Sequence, residues 1–318
     1  MIEASIDIGT NTVLLLVAEK RGGRLEVHHE EQRLPRLGKQ ADSDKNLNRE
    51  SMDRVIRSLR EFAAFLKERF PQLSGPPVVT ATSAVRDAPN RALFLNAVEE
   101  ATGWAVRVLS GEEESQITYR GALSVLDPQI VKGRRTLILD IGGGSTEFAL
   151  GEEGKLLAAQ SLDMGSVRFT ENYFNSLPPA EEEKSVAARA VRNLLRDLRG
   201  ELVSKEVERS PGGGQEKQLQ LVGVAGTVTS IAALSAGLTH YETEKLNGMD
   251  LPLSEIRKYR KLFEGLPPMV IEERYAPFLV GRGEVITAGL IILEEVLGFY
   301  NKHLLTVSTG GVRHGMLI

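Results

Sequence analysis

The chain has 318 residues, room for two domains that each bury a core, and its 42% hydrophobic and 26% charged residues are those of an ordinary globular protein. It contains no cysteine, which excludes disulfides, thiolate catalysis and cysteine-ligated metals. A formal net charge of −4 lacks the positive excess of a general DNA binder, so a polyanionic partner would have to meet positive charge held locally in a cleft.

The N-terminus enters a strand-like run directly, with no basic segment or signal-peptide core. The longest apolar stretch, Val285 to Val296, is interrupted by Thr287, Gly289, Glu294 and Glu295. No membrane span and a cytoplasmic location are therefore expected. Ile2 to Val17 reads as strand, tight turn at Asp7 to Thr12, and strand. Asn48 to Phe70 carries apolar residues at helical spacing up to Pro71. A buried strand at Val78 to Ala81, a helix at Pro89 to Ala101, a strand at Ala105 to Leu109 and a helix at Glu112 to Leu126 follow. This alternation predicts an α/β fold with helices packed on a sheet.

A second unit opens near Thr136 and echoes the first. Each begins with a strand ending in Asp-Ile-Gly, then small polar residues, then a second strand (Asp7-Ile8-Gly9 and Asp140-Ile141-Gly142). The pattern predicts a long-period duplication, with domains at 1–125 and 126–310. The polar segment Glu201 to Gln218 reads as a surface connection inside the second unit.

Four turns rich in Gly, Ser and Thr directly follow apolar strands: Asp7 to Thr12, Asp140 to Glu147, Gly223 to Ser230 and Val307 to Gly315. Glycines let successive backbone N–H groups converge on an anion. Any one such loop is as readily a simple turn, but four in one chain, two with a strand-end aspartate, point to phosphate. Asp140 and Glu147 flank one glycine turn, and Asp7 holds the equivalent place in the first unit. These are hard oxygen ligands of the kind that suit Mg²⁺ beside phosphate. The run Glu112-Glu113-Glu114 opens a helix, where it either complements the helix dipole or supplies a group that orients and deprotonates a water. Arg86, at a strand exit, has the fork geometry for phosphate, while Arg33, Arg36, Lys39, Arg282 and Arg313 are weaker candidates.

The segments DIGTNT (7–12), RLG (36–38), ATSAVRDAPN (81–90), SGEEES (110–115), DIGGGSTE (140–147), GVAGTVTS (223–230) and STGGVRHG (308–315) stand in an order that resembles the exopolyphosphatase and guanosine pentaphosphatase (Ppx/GppA) family over essentially the whole chain. The resemblance implies duplicated actin-like, hexokinase-like α/β domains of ribonuclease H type, an active site in the interdomain cleft, and a last helix, about 311–318, returning to the first domain. It implies hydrolysis of polyphosphate or guanosine pentaphosphate to orthophosphate with Mg²⁺, K⁺ being a candidate monovalent companion. Glu114 is then the general base. Asp140, Glu147 and Asp7 hold metal or water. Gly143, Gly144 and Ser145 form a phosphate cradle faced by Thr10, Asn11 and Thr12, and Arg86, Gly226 and Thr227 complete the phosphate contacts.

Three departures stand out. Thr10 and Thr12 stand where the family often has serine, His314 replaces a glutamate common after the last arginine, and the C-terminal helical extension of long members is not expected. A kinase or ATPase of the same superfold and a non-catalytic polyphosphate or alarmone sensor are the competing expectations. The expected partners are polyphosphate or guanosine penta- and tetraphosphate, with no DNA or membrane. A homodimer is left open.

Overall fold

The computed structural model describes residues 1–22, 24–39, 46–198, 202 and 218–318. All of the segment read as a polar connection at 201–218, apart from Leu202 and Gln218, lies outside the described residues.

Strands β1 (Ile2–Ile8), β2 (Val13–Arg21) and β3 (Arg24–Arg33) form an antiparallel meander. β4 (Val78–Ala81) joins β1 in parallel, and β5 (Val106–Val108) joins β4, giving the order β3-β2-β1-β4-β5. The second unit repeats this path. β6 (Arg135–Ile141), β7 (Thr146–Glu152) and β8 (Lys155–Leu162) form the meander. β9 (Leu219–Val224) pairs in parallel with β6, and β11 (Leu304–Val307) with β9. β10 (Asp250–Pro252) adds an antiparallel edge, so the order is β10-β11-β9-β6-β7-β8. Two sheets with the same strand path and direction constitute the duplicated actin-like architecture that the paired Asp-Ile-Gly strands predict.

Side chains alternate across each strand. In the first sheet Ala4, Ile6 and Ile8 join Val13, Leu15 and Val17 in a core with helix α1 (Arg49–Arg69). α1 starts where the Asn48 side chain accepts the Ser51 N–H at 2.9 Å, and it buries Val55, Leu59, Phe62 and Leu66; α2 (Ser83–Asp87) and α3 (Arg91–Thr102) follow in the first unit. Each large apolar side chain so buried contributes about 1.5–3 kcal/mol. In the second sheet Leu137, Leu139, Phe148 and Leu150 face a larger core. It includes the long apolar stretch, which forms a buried helix over Ile286–Phe299. Among the described residues no helix is long and apolar enough to cross a membrane.

The opposite faces carry the polar strand-end residues. On the second sheet that face receives Tyr119 and Ala122 of helix α4 (Gly111–Ser124), packed against Ile138, Ala149 and Val222. α4 thus precedes the sequence division at residue 125 yet packs against the second sheet. The short last helix, Val312–Gly315, lies on α4, and Leu317 beyond it packs on Leu16 and Ala18 of β2. Close approach of α4 to the C-terminal segment depends on glycine. A Cβ on Gly121 would lie 2.0 Å from the Gly311 carbonyl oxygen.

Candidate active site

The two Asp-Ile-Gly turns close in the same way. Gly9 N–H donates to Thr12 O at 2.8 Å, and Gly142 N–H donates to Ser145 O at 3.0 Å. They meet across the interface of the two units and border a cavity of about 500 Å³. Thr10, Asn11 and Thr12 line it from the first unit. Gly143, Gly144, Ser145, Gly226 and Thr227 line it from the second. Gly226 and Thr227 lie within the first turn of a helix over Ala225–Ser235. Their cradle includes Arg282, whose guanidinium packs so closely on Gly226 that a Cβ there would meet it at 2.1 Å. Arg282 also donates to Gln32 Oε1 of the first unit at 3.2 Å.

Register places the carboxylates. Asp140 pairs directly with Glu147 across the β6–β7 ladder, so both side chains leave the same face of the sheet, toward α4. Glu114 points back from that helix. Its two acidic neighbours do other things. Glu113 completes a capping box with Ser110 and pairs with Arg107 at 2.6 Å, and Glu112 accepts from Gln116 at 3.3 Å at the surface. The Ser-x-x-Glu spacing at 110–113 is the signal that marks Glu113 as a cap. Glu114 alone of the three is buried, 6% exposed.

Asp7, Asp140 and Glu114 line the cavity, whereas Glu147 sits behind them, 2% exposed, with Oε1 accepting from Ser161 at 2.8 Å. Burial, then repulsion from Asp140, raises Asp7 to about 7. Burial raises Asp140 to about 6, and burial with Asp140 raises Glu147 to about 8. Burial and the Glu147 charge hold Glu114 well above the ordinary carboxylate range.

Two guanidinium groups flank the four acids. Arg86 Nη1 donates to Glu114 Oε2 at 2.8 Å and to Leu109 O at 3.2 Å. Arg86 therefore does not line the main cavity. It borders a second, more open groove with Asp87, Glu112 and Ser161 on the far side of Glu114. On the opposite flank Arg313 lines the main cavity, and its charge acts on Asp7 and Asp140. Glu30 Oε1 holds Arg313 through Nε at 3.2 Å and Nη2 at 2.9 Å, and His314 Nε2 lies 3.3 Å from the same oxygen. Burial pushes Glu30 up, but His314 and Arg313 prevail and hold it at about 2. Sequence reasoning missed Glu30 because it sits mid-strand on β3, 283 residues from Arg313, with no motif around it.

The donor set fits a hard divalent cation. Asp7 Oδ1 is buried without a hydrogen-bond partner among the described residues. Three further acids crowd it, all raised by burial, and a cation would relieve them. Among the described residues no group of three or more acidic or imidazole side chains is placed to hold a metal ion by itself; Mg²⁺ bound here would need waters and phosphate oxygens as further ligands.

The model of the Ppx/GppA phosphatase family matches residues 16–318. The chain belongs to the Ppx/GppA phosphatase family. Exopolyphosphatase 2 of Mycobacterium tuberculosis is 33% identical over 305 residues, 92% of this chain and 89% of that protein. Among solved structures, the Aquifex aeolicus Ppx/GppA family member superposes with a TM-score of 0.76 at 30% identity, covering 100% of this chain and 96% of that one. An exopolyphosphatase from Cytophaga hutchinsonii gives 0.82 at 25% identity, covering 100% and 96%. This Ppx/GppA phosphatase is a hydrolase of phosphoric anhydrides, and its acidic cluster sits in the cleft between the duplicated units.

Proposed function

We propose that this phosphatase releases terminal orthophosphate from inorganic polyphosphate, guanosine pentaphosphate or both, with Glu114 activating the attacking water. The observation that carries the reading is Glu114 itself. It is a buried carboxylate on the cavity wall that also holds the Gly143–Ser145 turn, and it is held in place by Arg86. The Gly143, Gly144 and Ser145 backbone and the Thr10, Asn11 and Thr12 side chains hold the terminal phosphoryl group from the two units. Gly226, Thr227, Arg282 and Arg313 offset the remaining negative charge.

Glu114 accepts a proton as the water oxygen bonds to phosphorus, and the bond to the bridging oxygen breaks with its electron pair leaving on the shortened chain. Arg86 keeps the Glu114 carboxylate oriented and favours its ionised form, against burial and the neighbouring acids. Asp7 and Asp140, with Glu147 behind them, would hold Mg²⁺, which would supply charge neutralisation for phosphate oxygens and carboxylates. Asp140 and Glu147 otherwise orient water from the sheet side.

Orthophosphate release measured side by side from polyphosphate, guanosine pentaphosphate and ATP, with and without a chelator, tests this. Release from either of the first two, lost on chelation, is the expected result. Phosphate transfer to an acceptor other than water, or full activity after exhaustive chelation, would sink the respective part.

A further inference from the structure

Three side-chain atoms on the wall of the main cavity are shut away from solvent and have no hydrogen-bond partner among the described residues: Asp7 Oδ1, Asn11 Nδ2 and Ser83 Oγ. The first suits a cation and the second a phosphate oxygen, as their motifs imply. Ser83 has no role in either account. It is 2% exposed and lies just beyond β4, in the first unit. A buried hydroxyl without a partner costs free energy in the folded protein, so its position asks for a ligand rather than a stabilising role.

The glycine turn of the second unit is shaped around this hydroxyl. A Cβ on Gly144 would lie 2.3 Å from Ser83 Oγ and 3.0 Å from Thr10 Oγ1. Two first-unit hydroxyls therefore converge on the backbone of the turn that carries the phosphate cradle, and any side chain at 144 would displace both. Ser166, Thr146 and Thr170, also polar and buried near this turn, are spent on backbone carbonyls. Ser83 is left over.

We propose that Ser83 is a phosphate-binding residue, its Oγ–H donating to a non-bridging oxygen of the terminal phosphoryl group alongside Asn11 Nδ2. This rests on the phosphohydrolase reading. Because Ser83 and Asn11 come from the first unit and Gly143 to Ser145 from the second, a phosphoryl group bound there ties the units together. The inverse logic applies to stability: with no ligand, the hydroxyl is a cost.

Ser83→Ala separates these effects by sign. The variant should melt at the same temperature as the wild type or higher without ligand. Its KM for polyphosphate and its Kd for orthophosphate, measured by calorimetry, should each rise by about 10- to 100-fold, the scale of one charge-assisted hydrogen bond. Unchanged KM and Kd would overturn the assignment, and so would a lowered melting temperature with binding intact, which makes the hydroxyl a fold element. A wild type that neither binds orthophosphate nor releases it removes the phosphohydrolase reading and Ser83 with it. A wild type that does both beside an unaffected variant removes Ser83 alone.

Discussion

Arg86 Nη1 donates to Glu114 Oε2 across 2.8 Å, and this ion pair stands between the main cavity and the outer groove. Burial raises the Glu114 carboxylate, the Glu147 charge raises it further, and Arg86 is what opposes them. A carboxylate and a cation so joined should act as one unit.

Glu114→Gln keeps size and polarity but removes the proposed base. Turnover should fall by about 10² to 10⁴, the usual share of general acid–base catalysis, while orthophosphate binding stays within about threefold. Near-normal kcat would transfer the role elsewhere, and Glu113 is the poorer successor because it caps α4.

Arg86→Ala leaves Glu114 buried without its cation. Its kcat should drop and the rising limb of the pH profile should move to higher pH, because the carboxyl holds its proton longer. Arg86→Lys should recover only part of this, since an ammonium lacks the planar fork. In a double-mutant cycle the Glu114→Gln and Arg86→Ala losses in kcat should be far from additive. Additive losses would show that the two residues act separately.

The acidic cluster sets the sign of pH dependence. Asp7, Asp140 and Glu147 are raised to about 7, 6 and 8 in the folded protein, from ordinary values of 3.8, 3.8 and 4.5. Between about pH 4 and pH 8 the folded state therefore binds more protons than the unfolded chain, and stability falls as pH rises. The metal-free protein should lose at least about 2 °C in Tm over that window, and millimolar Mg²⁺ at pH 8 should restore it. Asp140→Asn should flatten the pH dependence and weaken the Mg²⁺ effect. A Tm that climbs with pH without metal would contradict this electrostatic account.

Glu30 carries the Arg313 and His314 contacts on one oxygen. Burial holds His314, 1% exposed, below its ordinary value, so it should stay neutral at pH 7 by NMR titration. As pH falls through about 6.5 the unfolded chain takes up a proton that folded His314 refuses, which lowers stability in acid. Glu30→Gln should destabilise by about 1–3 kcal/mol through lost charge-assisted hydrogen bonds, and raise KM by loosening Arg313. An unchanged Tm and KM would remove Glu30 from the site.

Local chemistry was legible in the sequence where residues close together in the chain suffice. The strand–glycine turn–strand units, their duplication and the strand-end aspartates at 7 and 140 follow from spacing alone, because a β-ladder with a fixed turn places its own ends. The helix at Arg49–Arg69 is likewise encoded in periodicity, and the buried helix over Ile286–Phe299 falls on the longest apolar stretch. Tertiary structure decided what depends on distant segments. It buried Glu114 but not Glu112 or Glu113, placed Glu147 behind Asp140, and drew Arg86 onto Glu114 rather than into the main cavity. It also brought Glu30 to Arg313 and set Ser83 against Gly144. The physical reason is that packing two sheets with α4 and the chain end between them joins residues hundreds of positions apart, and no local pattern records which side chains will meet there.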